Sequence, residues 1–489
     1  VNLLHREFDD GTDRFQQIGG LALNWKPSAS VEITPFWSAS DLRDSESQVS
    51  YIPAGEALPP PVPMHHRFTP DWADYSGYAQ LYGILASAAW KEGWSTDVGL
   101  FRASNLTTEE VFVQFEAMQP DGSARLKAYA NPRHESASTS GEVRIRKTLT
   151  DGEYLSTILL SLRGRSARRT FGGAATLDLG NVDLGSSFDI AEPRRNYGPL
   201  TISSVRQTWL GVAYRGVWSN RGEFNASLST TDYRKNVRAP GLPEVVSQAA
   251  PLLVNVSGSI NLHKRLALYT SYATGLEENG VAPASAVNRN ELLPALETSQ
   301  VEFGTRWLVG RSVKAIVGVF ELRKPYFSAD GAGVYRQLGD VQNRGLEVSI
   351  SGPLSDQLNL VLGGNLMDPR VQADTASAGR LGKRPVGIPS MVANGSLEWR
   401  TPFVEGLSFD AGLDFRGHSA AKTNNSFFLP PRSLVNLGAR YRLKTKGADA
   451  SLRLLMSNVF DKNGFDLAGP GAFYPFGGRV LSASLVTDF

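Results

Sequence analysis

Apolar residues recur at every second position over segments of about ten residues through much of this sequence, the period of a β-strand with two unlike faces. Leu407, Phe409, Ala411, Leu413 and Phe415 share one face, while Ser408, Asp410, Gly412, Asp414 and Arg416 share the other. Val435, Leu437, Ala439 and Tyr441 stand against Asn436, Gly438, Arg440 and Arg442 in the same way. Leu452, Leu454 and Met456 stand against Ser451, Arg453 and Ser457, with Leu455 the one exception. Upstream, Leu346, Val348 and Ile350 alternate with Glu347, Ser349 and Ser351, and Phe224, Ala226 and Leu228 with Asn225, Ser227 and Ser229.

Soluble sandwiches also alternate, so the distribution of connections decides between them and a membrane barrel, which has short turns at one end and long loops at the other. Tight links lie near Lys26 to Ser30, Ser219 to Glu223, His263 to Arg265, Val309 to Ser312, Pro353 to Gln357 and Thr401 to Gly406. Between them come long connections, roughly 41–77, 164–202, 234–250, 275–296, 325–341, 368–388, 418–430 and 459–476, most of them polar and rich in Gly or Pro. The rhythm predicts an all-β, antiparallel transmembrane β-barrel of about 22 strands, an even number as single-chain bacterial barrels require. Short turns are expected on the periplasmic side and long loops on the extracellular side.

Composition narrows the alternatives. Fifty Lys plus Arg against 48 Asp plus Glu leave a net charge of +2, which argues against a nucleic-acid partner. No run approaches the roughly 18 apolar residues of a spanning helix, so a membrane role must come from strands. The absence of Cys removes disulfides, thiolate metal sites and cysteine nucleophiles together. Val1 opens without a basic and apolar leader, so any export signal is expected to have been removed or to lie outside this chain.

In the last strand Leu481, Ala483, Leu485, Thr487 and Phe489 share a face, which points an aromatic terminus at lipid. Trp37, Trp90, Trp94, Trp209, Trp218, Trp307 and Trp399 fall near predicted strand ends and fit girdles at the two headgroup levels.

Several strings resemble the barrel of TonB-dependent outer-membrane receptors, the ferric-siderophore class in particular. Residues 269–307, YTSYATGLEENGVAPASAVNRNELLPALETSQVEFGTRW, are similar to the family segment in which an aromatic strand meets a large loop and returns through Glu297, Gln300 and Glu302. Phe320 to Gly345, followed by Leu346 and Glu347, resembles the family's strand, loop and "rGvE" return. GKRPVGIP at Gly382 to Pro389 and the run Asn458, Val459, Phe460 and Asp461 are similar to later family motifs, and Phe489 completes the order. The resemblance covers much of residues 264–489, and the first 260 residues share mainly strand rhythm and loop placement.

The resemblance implies a globular plug and an energy-coupling box ahead of the barrel, and neither is present in this chain. Residues 1–489 are therefore expected to be one barrel domain, with a missing N-terminal portion. The implied partners are a ferric siderophore or similar small molecule, the plug domain, the TonB energy-coupling complex, outer-membrane lipid and lipopolysaccharide. No bound cofactor is implied, because iron travels within the chelate.

No HExxH, GxSxG, phosphate loop or paired-cysteine metal site is present, so an enzyme is not expected. His65 and His66, between Met64 and Arg67, could offer a metal or haem ligand. The simpler reading is two solvated histidines, because neighbours on an extended segment point to opposite faces. Electrostatic ligand binding is better supported. Arg163, Arg165, Arg168 and Arg169 lead into one long loop, and Arg194, Arg195 and Tyr197 lie toward its return. Arg323, Tyr326, Phe327, Tyr335 and Arg336, with Lys324, gather around 325–341 and mix cations with aromatic faces. Such residues suit an anionic aromatic chelate, and any one of them could instead bridge loop acids or lipopolysaccharide phosphates.

Glu302, Glu347, Glu398, Asp410, Asp414, Arg416, Arg440, Arg442 and Arg453 fall on the polar face, where water, a plug or mutual pairing must receive them. The expected function is an outer-membrane receptor that imports a ferric siderophore with TonB-derived energy. A receptor for haem, cobalamin or an aromatic compound, a plug-free diffusion pore and an outer-membrane hydrolase remain as alternatives.

Overall fold

The computed structural model describes residues 2–7, 13–46, 49–63, 68–185, 189–282, 286–288, 291–330, 332–373, 381–445 and 448–488. It is a single antiparallel meander that forms one wall. In chain order the wall strands begin Asn2–Glu7, Asp13–Ala22 (resuming as Trp25–Ser28), Val31–Glu46, Asp74–Ala89, Trp94–Met118, His134–Asp151 and Tyr154–Phe171. Next come Thr201–Trp218, Gly222–Arg238, Leu252–His263, Leu266–Glu277, Leu296–Val309, Val313–Ala329 and Tyr335–Pro353. Leu358–Ala373, Met391–Arg400, Leu407–Arg416, Arg432–Thr445, Ala448–Ser457 and Val480–Asp488 complete it. That is twenty wall strands among the described residues, each paired with the next, beside the about 22 that the rhythm predicts.

Cross-strand registers fix the two faces, because directly opposed residues point the same way. Val301 and Phe303 are exposed on the face shared by Val317 and Val319, whose partners are Leu346 and Val348. Leu413 opposes Gly395 and Val435, and Leu452 opposes Tyr441 and Leu485. These rows form the exposed apolar belt that lipid solvates. The other face carries the charge that the sequence pattern assigned to it, and its charges pair with one another along and across strands. Arg453 meets Asp410 at 3.5 Å, Arg432 and Arg416 reach Asp414 at 3.8 and 3.9 Å, and Arg400 meets Glu398 at 3.3 Å. Mutual pairing thus receives several of them, while Arg440, Arg442 and Glu347 have no ion pair among the described residues.

The tight links fall where the sequence places them, and two further ones, at 90–93 between Ala89 and Trp94 and at 152–153 between Asp151 and Tyr154, were not read from it. Trp90, Trp94, Trp218, Trp307 and Trp399 cluster at this short-turn end, exposed as a girdle requires. Trp209 departs from that expectation. It opposes Arg163, and its ring lies 5.6 Å under that guanidinium on the charged inner face. Leu481, Ala483, Leu485 and Thr487 take the expected outer face opposite Met456, Leu454, Leu452 and Ala450, and Phe489 lies outside the described residues.

The long connections differ more from the sequence reading. Tyr154–Phe171 stays a strand past 164, and the supposed loop at 325–341 is a hairpin closed by a turn at 330–334. A long excursion between Thr107 and His134 carries little Gly or Pro and is invisible to a search for loop composition. There Trp94–Met118 overshoots the wall and pairs with Ser123–Asn131, which pairs in turn with Ala175–Asp183. Val49–Pro53 adds a parallel strand on the other side, and Ala472–Phe476 follows through the pair Tyr51 and Phe473. This cap has its own core of Tyr51, Val113, Phe115, Leu126 and Phe473, each at most 1% exposed. Residues 64–67, with His65 and His66, lie outside the described residues.

Candidate functional site

Alternation on Tyr154–Phe171 decides which of its arginines can act together. Leu160 and Leu162 are exposed on the lipid side, so Ser161, Arg163, Arg165, Ala167, Arg169 and Phe171 face inward and Arg168 takes the outer parity. Arg163 donates to Glu142 at 3.0 Å, and Glu142 also accepts from Arg144 and Ser161. Arg165 donates to Ser138 and lies 3.5 Å from Glu278. Arg169 stacks 4.8 Å over Phe171 and has no acidic partner among the described residues.

Two strands along, Lys235 stands on the same inner face, opposite Val205. Its side chain is only 7% exposed, and its ammonium donates to Glu278 at 3.1 Å and to the Asn279 carbonyl at 2.6 Å. Arg165, Arg169, Phe171, Lys235, Glu278 and Asn279 line a cavity of about 730 Å³ with rows of small residues from neighbouring strands. Around it stand four cationic residues, Arg165, Arg168, Arg169 and Lys235, and one acid, a surplus of positive charge in a partly desolvated recess. Forked guanidiniums and an ammonium in such a recess bind oxyanions and have no partner chemistry for cations.

The other candidates are placed elsewhere. Arg195 is a clamp inside the cap. It reaches Glu109 at 3.0 Å, Glu192 at 2.9 Å and the Trp72 carbonyl at 3.2 Å, and it lies 5.7 Å from the Trp72 ring. Arg194 and Tyr197 are exposed beside it. Arg323 takes the outer parity and pairs with Glu321, which also holds Arg344 at 2.7 Å. Arg336 is tied to Asp330 at 2.8 Å in its own turn, and Phe327 stacks on Tyr335 with ring centres 6.5 Å apart. Tyr326 is half-buried on the same hairpin. The structure thus joins Arg165, Arg168 and Arg169 along one recess, Arg168 with the outer parity, with Arg163 below them, and it separates them from the residues of 323–336 and of the cap. Lys235 and Glu278 went unrecognised in the sequence. The alternation does put Lys235 on the inner face, but nothing local signals its burial.

The comparisons bear on family and fold. The model of the family described as TonB dependent receptor-like, beta-barrel, matches residues 64–459. The ferrichrome receptor FcuA of Yersinia enterocolitica is 24% identical over 234 residues, 46% of this chain and 31% of that protein. The metal-pseudopaline receptor CntO of Pseudomonas aeruginosa is 27% identical over 188 residues, 37% of this chain and 26% of that protein. The matched stretches thus span under a third of these curated relatives' length. Among solved structures, the ferric preacinetobactin receptor BauA of Acinetobacter baumannii superposes with a TM-score of 0.81 at 18% identity, over 99% of this chain and 73% of that one. Pyoverdine-bound FpvA of P. aeruginosa gives 0.80 at 15%, over 99% and 66%.

Proposed function

The chain belongs to the TonB-dependent receptor-like β-barrel family of the outer membrane, and from that premise we propose that it is the barrel of a receptor that captures a ferric siderophore and imports it with energy relayed by TonB. The observation that carries the substrate class is the recess at Arg165, Arg169 and Lys235, where positive charge exceeds negative at the long-loop end of a polar lumen. Ferric chelates present oxygen ligands and often net negative charge, which guanidiniums and an ammonium complement. The relatives named for ferrichrome and for metal-pseudopaline support the same class.

No covalent chemistry is required of this chain, and the family is one of transport receptors. Arg163, Arg165 and Arg169 would hold the chelate, and the ion-paired inner wall would offer a wet path below. Arg440, Arg442 and Glu347 would meet a plug domain, whose displacement opens that path. The outer belt keeps the wall in lipid, and lipopolysaccharide would meet the outward Arg323 and Arg344.

The test is growth of an iron-starved bacterium, stripped of its own receptors, that expresses the whole protein, on a panel of ferric siderophores. Growth on at least one chelate that disappears when TonB is deleted is the expected result. Solute leakage into liposomes with no TonB-dependent uptake of any chelate would replace this reading with a diffusion pore.

A further inference from the structure

Glu278 does not belong, by position, where the structure puts it. It follows Leu266–Glu277, four strands along the wall from Arg165, a separation of about 19 Å at the usual strand spacing. To meet Arg165 and Lys235, the chain leaving that strand folds back across the inner face. The segment is held there at its start by the two ion pairs and by the Asn279 carbonyl. Behind them Ala282 donates to the Glu291 carbonyl, and Val281 bridges Leu292. Farther along, Asn288 is bonded to the backbone of Tyr335.

The acid at the centre of this arrangement is a carboxylate presented on a tether to an otherwise unmatched cation cluster. Arg169, 4.8 Å over Phe171, waits on the same cavity wall with no acid among the described residues. A nearly buried Lys235 needs an anion, because leaving a buried charge unpaired is expensive. That need is met by any carboxylate that enters, and a multidentate one can engage Arg169 as well.

We propose that Glu278 is the resident occupant of a carboxylate site, and that an incoming anionic, carboxylate-bearing ligand displaces it from Arg165 and Lys235 and so releases the segment Glu278–Ala282 from the wall. The proposal rests on the receptor reading and deepens it, by giving the ligand a required group and the loop a trigger. Exchange of one carboxylate for another conserves the charge balance of the recess, so binding energy is not spent on leaving Lys235 bare. It also makes the loop's position a report of occupancy.

Residues 1–489 contain no cysteine, so V281C adds a single spin-label site to them, and any cysteine elsewhere in the whole receptor is replaced by serine first. The probe is citrate, compared at matched ionic strength with uncharged glycerol plus sodium chloride. Citrate is expected to mobilise the label, and E278Q to show the mobile spectrum without any addition. In unlabelled protein, calorimetry should find citrate bound about tenfold more tightly by E278Q and more weakly by R165Q, a shift of about 1.4 kcal/mol for each decade. A label unmoved by citrate, or citrate binding unchanged in E278Q, overturns the exchange. Neither readout uses iron uptake. Failure of growth on siderophores with a mobile label would therefore refute the receptor reading alone, and an immobile label with normal uptake would refute the exchange alone.

Discussion

Arg195 and Arg165 are the same residue type in arginine-rich stretches, yet one is fixed by Glu109, Glu192 and Trp72 in the cap and the other faces a recess. What separates them is the number of acids and carbonyls folding brings within reach, which no local pattern encodes. Asp330 is a third case. Its carboxyl is held below the ordinary 3.8 by Arg336 first, and then by the N–H groups of Val334 and Ala332. A lowered acid stabilises the folded turn above its unfolded value, and that contribution disappears as pH falls through the lowered folded value. Hydrogen exchange at the Val334 amide should therefore show a step of lost protection below pH 3.8 that D330N lacks. A step of equal size in D330N would assign the order of the turn to packing alone.

At the level of the strand, alternation is enforced from both sides: lipid penalises charge on one face, and water and ion pairs reward it on the other. Leu437 and Asn436 are neighbours on Arg432–Thr445 with opposite parity. L437R should cost up to about 2–4 kcal/mol if it lies near the bilayer midplane, whereas N436R should cost well under half of that. Urea unfolding in lipid vesicles measures both, and equal costs would contradict the assigned faces. Glycine in these strands has a related logic. A side chain at Gly345 would start 2.7 Å from the Phe320 ring and 2.6 Å from the Leu366 carbonyl. The ring of the opposing strand therefore lies over Gly345 and replaces the packing that the glycine lacks. That gives the Gly in the family-like string before Glu347 a physical reason to be there.

On the scale of the molecule, the cap joins the two ends of the sequence. Val49–Pro53 lies early in the chain and Ala472–Phe476 near its end, yet Tyr51 and Phe473 are bridged, with Phe465 and Phe115 packed on Tyr51. Lys422 donates to the Gly55 carbonyl alongside. F473A should open a cavity costing about 3–5 kcal/mol within the cap and leave the wall intact. Hydrogen exchange should accelerate across 49–53 and 464–476 while strands such as Val313–Ala329 keep their protection. Acceleration of the wall to the same degree would mean that cap and barrel unfold as one unit.

Strand identity, face, turn position and the polar lining were legible in the sequence because each depends on a two-residue period and on residues within one turn. Trp209 broke that reading because an aromatic ring serves a cation on the inner face as well as it serves a headgroup outside. The 107–134 excursion was missed because its residues are good strand formers that merely pair outside the wall. The recess was half legible. Arg163, Arg165 and Arg169 share a face by counting, but the cavity exists only because Lys235 and a carboxylate four strands away arrive at the same place. The sequence by itself determined a wall with one face for lipid and one for water, since solvent acts on each side chain separately. The tertiary structure alone decided which charges meet, since ion pairing and desolvation depend on distances between residues far apart in the chain.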